Sequence, residues 1–185
     1  MGEIDDAIER ADRESFTREP PKTLKGQIGY LLKQLGSAKA VAREIGVTAD
    51  SVNRYRRGAR KHARADVAAK INDAVRGRWQ PQVRKRRQKQ AATATGITVE
   101  TRARFGYTAP VGTTDDGRFR RLTVHLPPAY AQRLFDARAQ GANDQEMRQI
   151  IAEGFKEIYF QDGGGRATGL SDVTLNDIDY LDLDY

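Results

Sequence analysis

The chain has 185 residues, 38% hydrophobic and 31% charged, with no cysteine and a net charge of +7. That composition fits a soluble protein with a modest core, in one medium domain or two small ones. It excludes disulfides, thiol catalysis and thiolate metal sites, and no apolar run approaches the ~20 residues needed to span a bilayer.

The opening residues from Met1 to Asp6 are acidic and lack the basic-then-apolar layout of a secretory signal, so the expected location is the cytoplasm. His62 and His125 read as polar surface or groove residues, with no carboxylate spacing suited to a structural zinc site. Charge is distributed in blocks. Residues 1–19 hold seven acids and three arginines, residues 53–90 hold fourteen Lys and Arg against Asp66 and Asp73, and residues 171–185 hold five Asp and no base. The central block alone carries +12. Bases this dense repel one another and are stabilised by a polyanion, which points to nucleic acid, with the acidic ends as a charge regulator.

Ile4, Ile8 and Ala11 share one helical face and Pro20-Pro21 stops the helix, so residues 1–21 read as an N-terminal helix or arm. Thr23 caps a second helix with Leu24, Ile28, Leu31, Leu32 and Leu35 on its apolar face, ended by Gly36. Ser37 caps a short third helix with Ala38, Val41, Ala42 and Ile45 inward, stopped at Gly46. Thr48 caps a fourth, from Ala49 to about Arg57, ended by Gly58. A fifth places Val67, Ile71, Ala74 and Val75 at helical spacing, followed by Arg78-Trp79. Beyond Pro81, the stretch from Val83 to Arg87 has almost no apolar face and is expected in solvent or on DNA.

The third and fourth helices carry the strongest local signal. Two helices that cross steeply need a small residue where their backbones touch, which Ala42 supplies, and a turn of positive φ, which Gly46 supplies. Val47, Val52 and Tyr55 would pin the second helix to the first, leaving Asp50, Ser51, Asn53, Arg54, Arg56 and Arg57 on exposed or flanking positions. This is the pattern of a helix-turn-helix, whose second helix enters the major groove. Asn suits adenine and Arg suits guanine by bidentate geometry, whereas Arg56, Arg57, Arg60 and Lys61 suit phosphates. Arg84, Lys85, Arg86 and Arg87 extend the basic face.

After Thr95-Gly96 the period changes to two, with Ile97, Val99, Thr101, Ala103 and Phe105, then Leu122, Val124 and Leu126, alternating with polar residues. Residues 106–117, rich in Gly, Thr, Pro and Asp, read as the loop between two strands. Pro127-Pro128 opens a helix with Tyr130, Ala131, Leu134, Phe135 and Arg138 on one side, ended at Gly141. Asn143 caps another with Met147, Ile150, Ile151, Gly154, Phe155, Ile158 and Tyr159. Asp162 to Gly165 is a break, and the alternation from Ile178 to Tyr185 reads as a late strand or an interaction tail that orders on binding. Two pairings suit the strands. One is a ribbon-helix-helix module, paired across a two-fold axis with Arg121, Thr123 and His125 outward; the other is a hairpin of 97–105 with 118–126. A self-associating protein is expected, with the choice between the two pairings left open.

Three stretches, residues 106–128 (GYTAPVGTTDDGRFRRLTVHLPP), 50–60 (DSVNRYRRGAR) and 158–162 (IYFQD), together resemble the telomere terminal proteins of Streptomyces linear chromosomes and plasmids. The resemblance runs from the opening residues to the acidic tail. It implies a protein joined covalently to the 5′ ends of linear DNA, which primes the filling of the recessed end. The attachment residue it implies is Thr114, in Gly112-Thr113-Thr114-Asp115-Asp116-Gly117. It also implies as partners a DNA polymerase and a telomere-associated protein bound to the single-stranded 3′ overhang, at the nucleoid. No cofactor of its own is implied, since Mg²⁺ arrives with the polymerase. On the residues alone Thr108, Thr113 and Thr114 are equivalent, and Asp115-Asp116-Gly117 is first of all a turn.

The resulting expectation is a mainly α fold with a small β element. It comprises a helix or arm over 1–21, a helix-turn-helix domain with basic extension over 22–90, a strand-loop-strand and two-helix domain over 96–162, and an acidic tail over 163–185. The protein is expected to be no enzyme but the nucleotide acceptor of a polymerase. The alternative is a helix-turn-helix transcriptional regulator with a dimerising ribbon-helix-helix-like module. Autonomous nuclease or nucleotidyltransferase activity carries little weight, because no acidic set has metal-binding spacing.

Overall fold

A computed structural model describes residues 2–108, 114–166 and 169–185, with backbone alone at 107, 108 and 114–117. The fold is mainly helical with a three-stranded antiparallel sheet, the expected α+β class. The chain divides into two compact units, Phe16–Pro81 and Met1–Ser15 with Gln82–Tyr185.

The first unit is a helical bundle of α2 (Leu24–Leu35), α3 (Ala38–Ile45), α4 (Ala49–Arg57) and α5 (Ala65–Arg78). The hydroxyls read as caps satisfy the free N–H groups that every helix start leaves. Thr23 Oγ1 accepts from Gly26 N at 3.2 Å, Ser37 Oγ from Ala40 N at 3.1 Å and Thr48 Oγ1 from Ser51 N at 3.2 Å. Ile28, Leu31, Val41, Ile45, Val52, Ile71 and Val75 fill the core. Tyr30 lies edge-on to Trp79, and the Trp79 indole donates to Arg18 O at 2.8 Å, closing the bundle.

In the second unit, β1 (Ile97–Thr108) lies between β2 (Thr114–Leu126) and β3 (Asp172–Asp184). Helices α1 (Glu3–Glu14), α6 (Pro81–Gln90), α7 (Pro128–Ala139) and α8 (Asp144–Phe155) complete it. The inward residues of all three strands meet Ile4 and Ile8 of α1, Leu134 of α7 and Met147, Ile151 and Phe155 of α8 in one core. A Cβ on Gly154 would lie 2.8 Å from the Leu126 side chain, so glycine is what lets α8 approach β2 this closely. The capping box of Asn143 and Glu146 starts α8 as its sequence suggests.

The structure decides what the sequence left open and corrects the extent of the loop. Of the two pairings that suit the strands, it shows the intramolecular hairpin, with Ile97 opposite Leu126 and Phe105 opposite Arg118. The ladder continues through Tyr107–Asp115 to Thr108–Thr114, so residues 106–108 and 114–117 of the expected loop are strand, while 109–113 lie outside the described residues. On its other side β1 pairs through Gly106, Tyr107 and Thr108 with β3. The acidic tail is therefore the third strand, with Val173, Leu175, Leu181 and Leu183 buried. The N-terminal helix is no arm, because its apolar face is core of the unit that holds the sheet.

Helix α1 also anchors a buried ionic cluster. Arg138 donates to Asp5 at 2.6 Å and to Glu9 at 2.8 Å, and Arg84 lies 3.4 Å from Glu9 and 3.5 Å from Asp12. Asp12 is only 1% exposed and accepts from Tyr185 Oη at 2.7 Å and from Gln88 at 3.1 Å. Burial holds the Asp12 carboxyl above its ordinary 3.8, against the lowering pull of Tyr185, Arg84 and Gln88. Its contribution to stability therefore declines as pH rises from 3.8 to the folded value, the reverse of a salt-bridged surface carboxylate. Burial, reinforced by Asp12, pushes the Tyr185 phenol well above 10. The unfolded chain then ionises first, and stability falls as pH climbs past 10. Tyr185→Phe is expected to cost about 1–3 kcal/mol at neutral pH, through the donor lost to a buried carboxylate. It should also flatten the alkaline decline. Urea unfolding at neutral pH and above pH 10 measures both effects, and an unaltered alkaline slope contradicts this role for Tyr185.

Candidate nucleic-acid interface

The helix-turn-helix follows from three local facts. Ala42, 6% exposed, puts no bulk where α3 meets α4. Gly46 adopts φ 69°, ψ 40°, a left-handed turn that a residue with a Cβ enters only at a cost of about 1 kcal/mol. Val47 N donates to Ala42 O at 2.9 Å and closes that turn. Val52 and Tyr55 are buried and fix the rotation of α4 about its axis.

That rotation decides what α4 shows to water. Arg54, Arg56 and Arg57 are exposed, as are Arg60 and Lys61 just beyond the helix, while Ser51 and Asn53 are half-buried. Arg54 pairs with Asp50 one turn earlier at 2.8 Å, and Arg57 Nε donates to Asn53 O at 3.3 Å. An exposed pair of this kind is worth under about 1 kcal/mol and exchanges readily for a phosphate. The predicted reading helix thus brings its polar residues together on one face, next to a cluster of cations.

The basic extension is different. Helix α6 groups with the sheet unit rather than with the bundle. Arg84 is 9% exposed and held by Glu9 and Asp12, so it is a structural cation rather than a phosphate contact. Its charge needs the α1 carboxylates, which lie some seventy residues earlier in the chain. Arg87 is half-buried, and of the four only Lys85 and Arg86 stand exposed.

Thr114 opens β2, its backbone paired with Thr108 across the hairpin. The described residues include its backbone but not its side chain, and Thr113 lies outside them. Among the described residues, no helix is long and apolar enough to cross a membrane, and no group of three or more His, Asp or Glu stands together as a metal site would.

No family model, curated protein or solved structure matches the chain.

A second polar surface was only partly legible. The outward positions Arg121, Thr123 and His125 are exposed as the alternation implies. Beside them stand Arg102 and Arg104 of β1 and Phe119 of β2, which the sequence alone did not single out. Part of the signal was present, since Arg102 and Arg104 alternate with buried neighbours, but placing Phe119 on the same face required the register.

The two groups of arginines predict opposite phenotypes. Replacing Arg54, Arg56 and Arg57 together by Ala should weaken duplex binding and reduce the log–log salt slope by about 2–3, near 0.9 for each phosphate no longer neutralised. Stability should barely move. Arg84→Met should leave duplex affinity unchanged and lower stability by about 3 kcal/mol, because it strands buried carboxylates. Salt-titrated binding and urea unfolding of both variants give the answer, and interchanged phenotypes would overturn the assignment.

Proposed function

We propose that the chain is a DNA-end protein that grips duplex DNA through the bundle and offers the Thr114 hydroxyl as acceptor in protein-primed DNA synthesis. The observation that carries DNA contact is the fixed rotation of α4, which buries Val52 and Tyr55 and leaves Arg54, Arg56 and Arg57 in water. The resemblance borne by residues 106–128 supports the priming step and its partners: a DNA polymerase, a telomere-associated protein and the single-stranded 3′ overhang.

The chemistry is a single phosphoryl transfer. Thr114 Oγ1 forms a bond to the α-phosphorus of a deoxynucleoside triphosphate, the bond to the β-phosphate oxygen breaks, pyrophosphate leaves and the hydroxyl proton passes to solvent or a base of the polymerase. Metal ions of the polymerase stabilise the attacking and leaving oxygens. The product is a threonyl phosphodiester bearing a free 3′-OH for elongation. Threonine suits this task because its aliphatic hydroxyl imitates that of a sugar. Its position suits it as well, since Thr114 stands at the first residue of β2, at the end of the ladder it forms with Thr108.

Incubation with the cognate polymerase, Mg²⁺ and labelled deoxynucleotides should give a protein whose label survives a denaturing gel. Thr114→Ala should abolish that label and Thr114→Ser retain part of it. A transcriptional regulator never acquires it, and labelling that persists in Thr114→Ala moves the acceptor elsewhere.

A further inference from the structure

Helices α1, α7 and α8 pack on the inward face of the sheet of the second unit, and on its outward face Arg102, Arg104, Phe119, Arg121, Thr123 and His125 are exposed among the described residues. The register sets Arg102 opposite Arg121 and Arg104 opposite Phe119. Phe119 is 49% exposed, the most exposed large hydrophobic side chain among the described residues. An isolated surface phenylalanine would be unremarked. This one stands among cations, with the Arg104 guanidinium 5.3 Å and the Arg102 guanidinium 5.8 Å from its ring centre.

We propose that this open face is a binding platform for single-stranded DNA, on which Phe119 stacks a base and Arg102, Arg104 and Arg121 take the flanking phosphates. An unpaired strand is the ligand whose chemistry matches both halves of the patch. It offers a π-face at every base and a negative charge at every phosphate, and an aromatic residue flanked by arginines is the usual means of holding one. A duplex hides its π-faces and gains nothing from Phe119. The choice of DNA over RNA rests on the duplex-reading bundle; base stacking on Phe119 does not.

The arginines already have partners, and these complete the device. Arg102 pairs with Asp179 at 2.6 Å, Arg104 with Asp177 at 3.5 Å and Arg121 with Glu100 at 2.6 Å. In all three pairs both side chains are substantially exposed, so each bond is weak and open to competition. Asp177 and Asp179 belong to the acidic β3, and they hold the cations in place until phosphates displace them. Their charge also opposes weak anions, so the platform favours a ligand carrying several phosphates together with bases.

The test uses the full chain and compares a short labelled single-stranded oligodeoxynucleotide with its duplex and with the same sequence in RNA. Phe119→Ala, at an exposed position that leaves the core intact, should weaken single-strand binding about tenfold and leave duplex binding unchanged. Phe119→Trp should restore it. Arg54, Arg56 and Arg57 replaced together by Ala should do the reverse, losing the duplex and keeping most of the single strand. Asp177→Asn with Asp179→Asn should tighten single-strand binding severalfold, Asn being suited to the positive φ of 43° at position 177. Single-strand affinity unaltered by Phe119→Ala, or an equal loss for duplex and single strand, overturns the platform while leaving the bundle's role intact. Tighter binding of the RNA overturns the assignment to DNA, and no gain from the double Asn variant removes β3 as a competitor.

Discussion

Each arginine brings a charge that has to be balanced, and where the balancing partner sits divides this molecule into parts. Arg84, Arg138 and Arg148 are matched inside the fold by carboxylates of α1 and by Asp144. Arg148 ties α8 to Glu3, and a hydrogen bond from Tyr185 to Asp12 ties the last strand to the same first helix. Arg56, Arg57, Arg60 and Lys61 have no carboxylate within ion-pair distance among the described residues and stay in water. The sheet face lies between these extremes, its arginines held by acids weak enough to yield. A partner that brings phosphates completes the charge balance of the second and third groups and leaves the first untouched.

Local signals made the bundle legible. Thr23, Ser37 and Thr48 declare helix starts by side-chain chemistry acting over three residues, and Gly46 declares the turn by its allowed φ. Such features need no knowledge of distant contacts. The alternation of Ile97 to Phe105 with Leu122 to Leu126 likewise announced the two strands and their inward faces. The errors concern what only tertiary pairing decides. Residues 84–87 look like an uninterrupted cationic face until α1 supplies the acids that bury Arg84. In residues 178–185 the alternation of Asp with apolar residues allowed either a late strand or an interaction tail, and only the pairing with β1 decides for the strand, with one covered face. Asp12 occupies the apolar side of α1, where a carboxylate is foreign, and that anomaly was the one sequence sign of the buried cluster.

The two units suggest a division of labour. The bundle carries α4, its rotation set by two buried side chains, as the proposed reading helix for a regular duplex. The other unit carries an open sheet, the hairpin with Thr114 and the acidic strand that tempers its charge. Under the proposed function the chain works where a duplex gives way to a single strand, which calls for both surfaces, with Thr114 on the same sheet as the proposed single-strand platform. On that proposal stability and DNA contact fall on separate residues, with the α1 cluster bearing the first and α4 and the outward strand positions the second.

The central claim is that one threonine of this chain carries DNA. Trypsin cleavage after Arg104 and Arg118 releases residues 105–118, which contain Thr108, Thr113 and Thr114 in one peptide. The direct measurement is mass spectrometry of that peptide from protein isolated from the cells that make it, after exhaustive nuclease digestion. The account predicts a peptide heavier by a deoxynucleotide, with fragmentation locating the addition on Thr114. An unmodified peptide throughout, or an addition on Thr108 or Thr113, would contradict it.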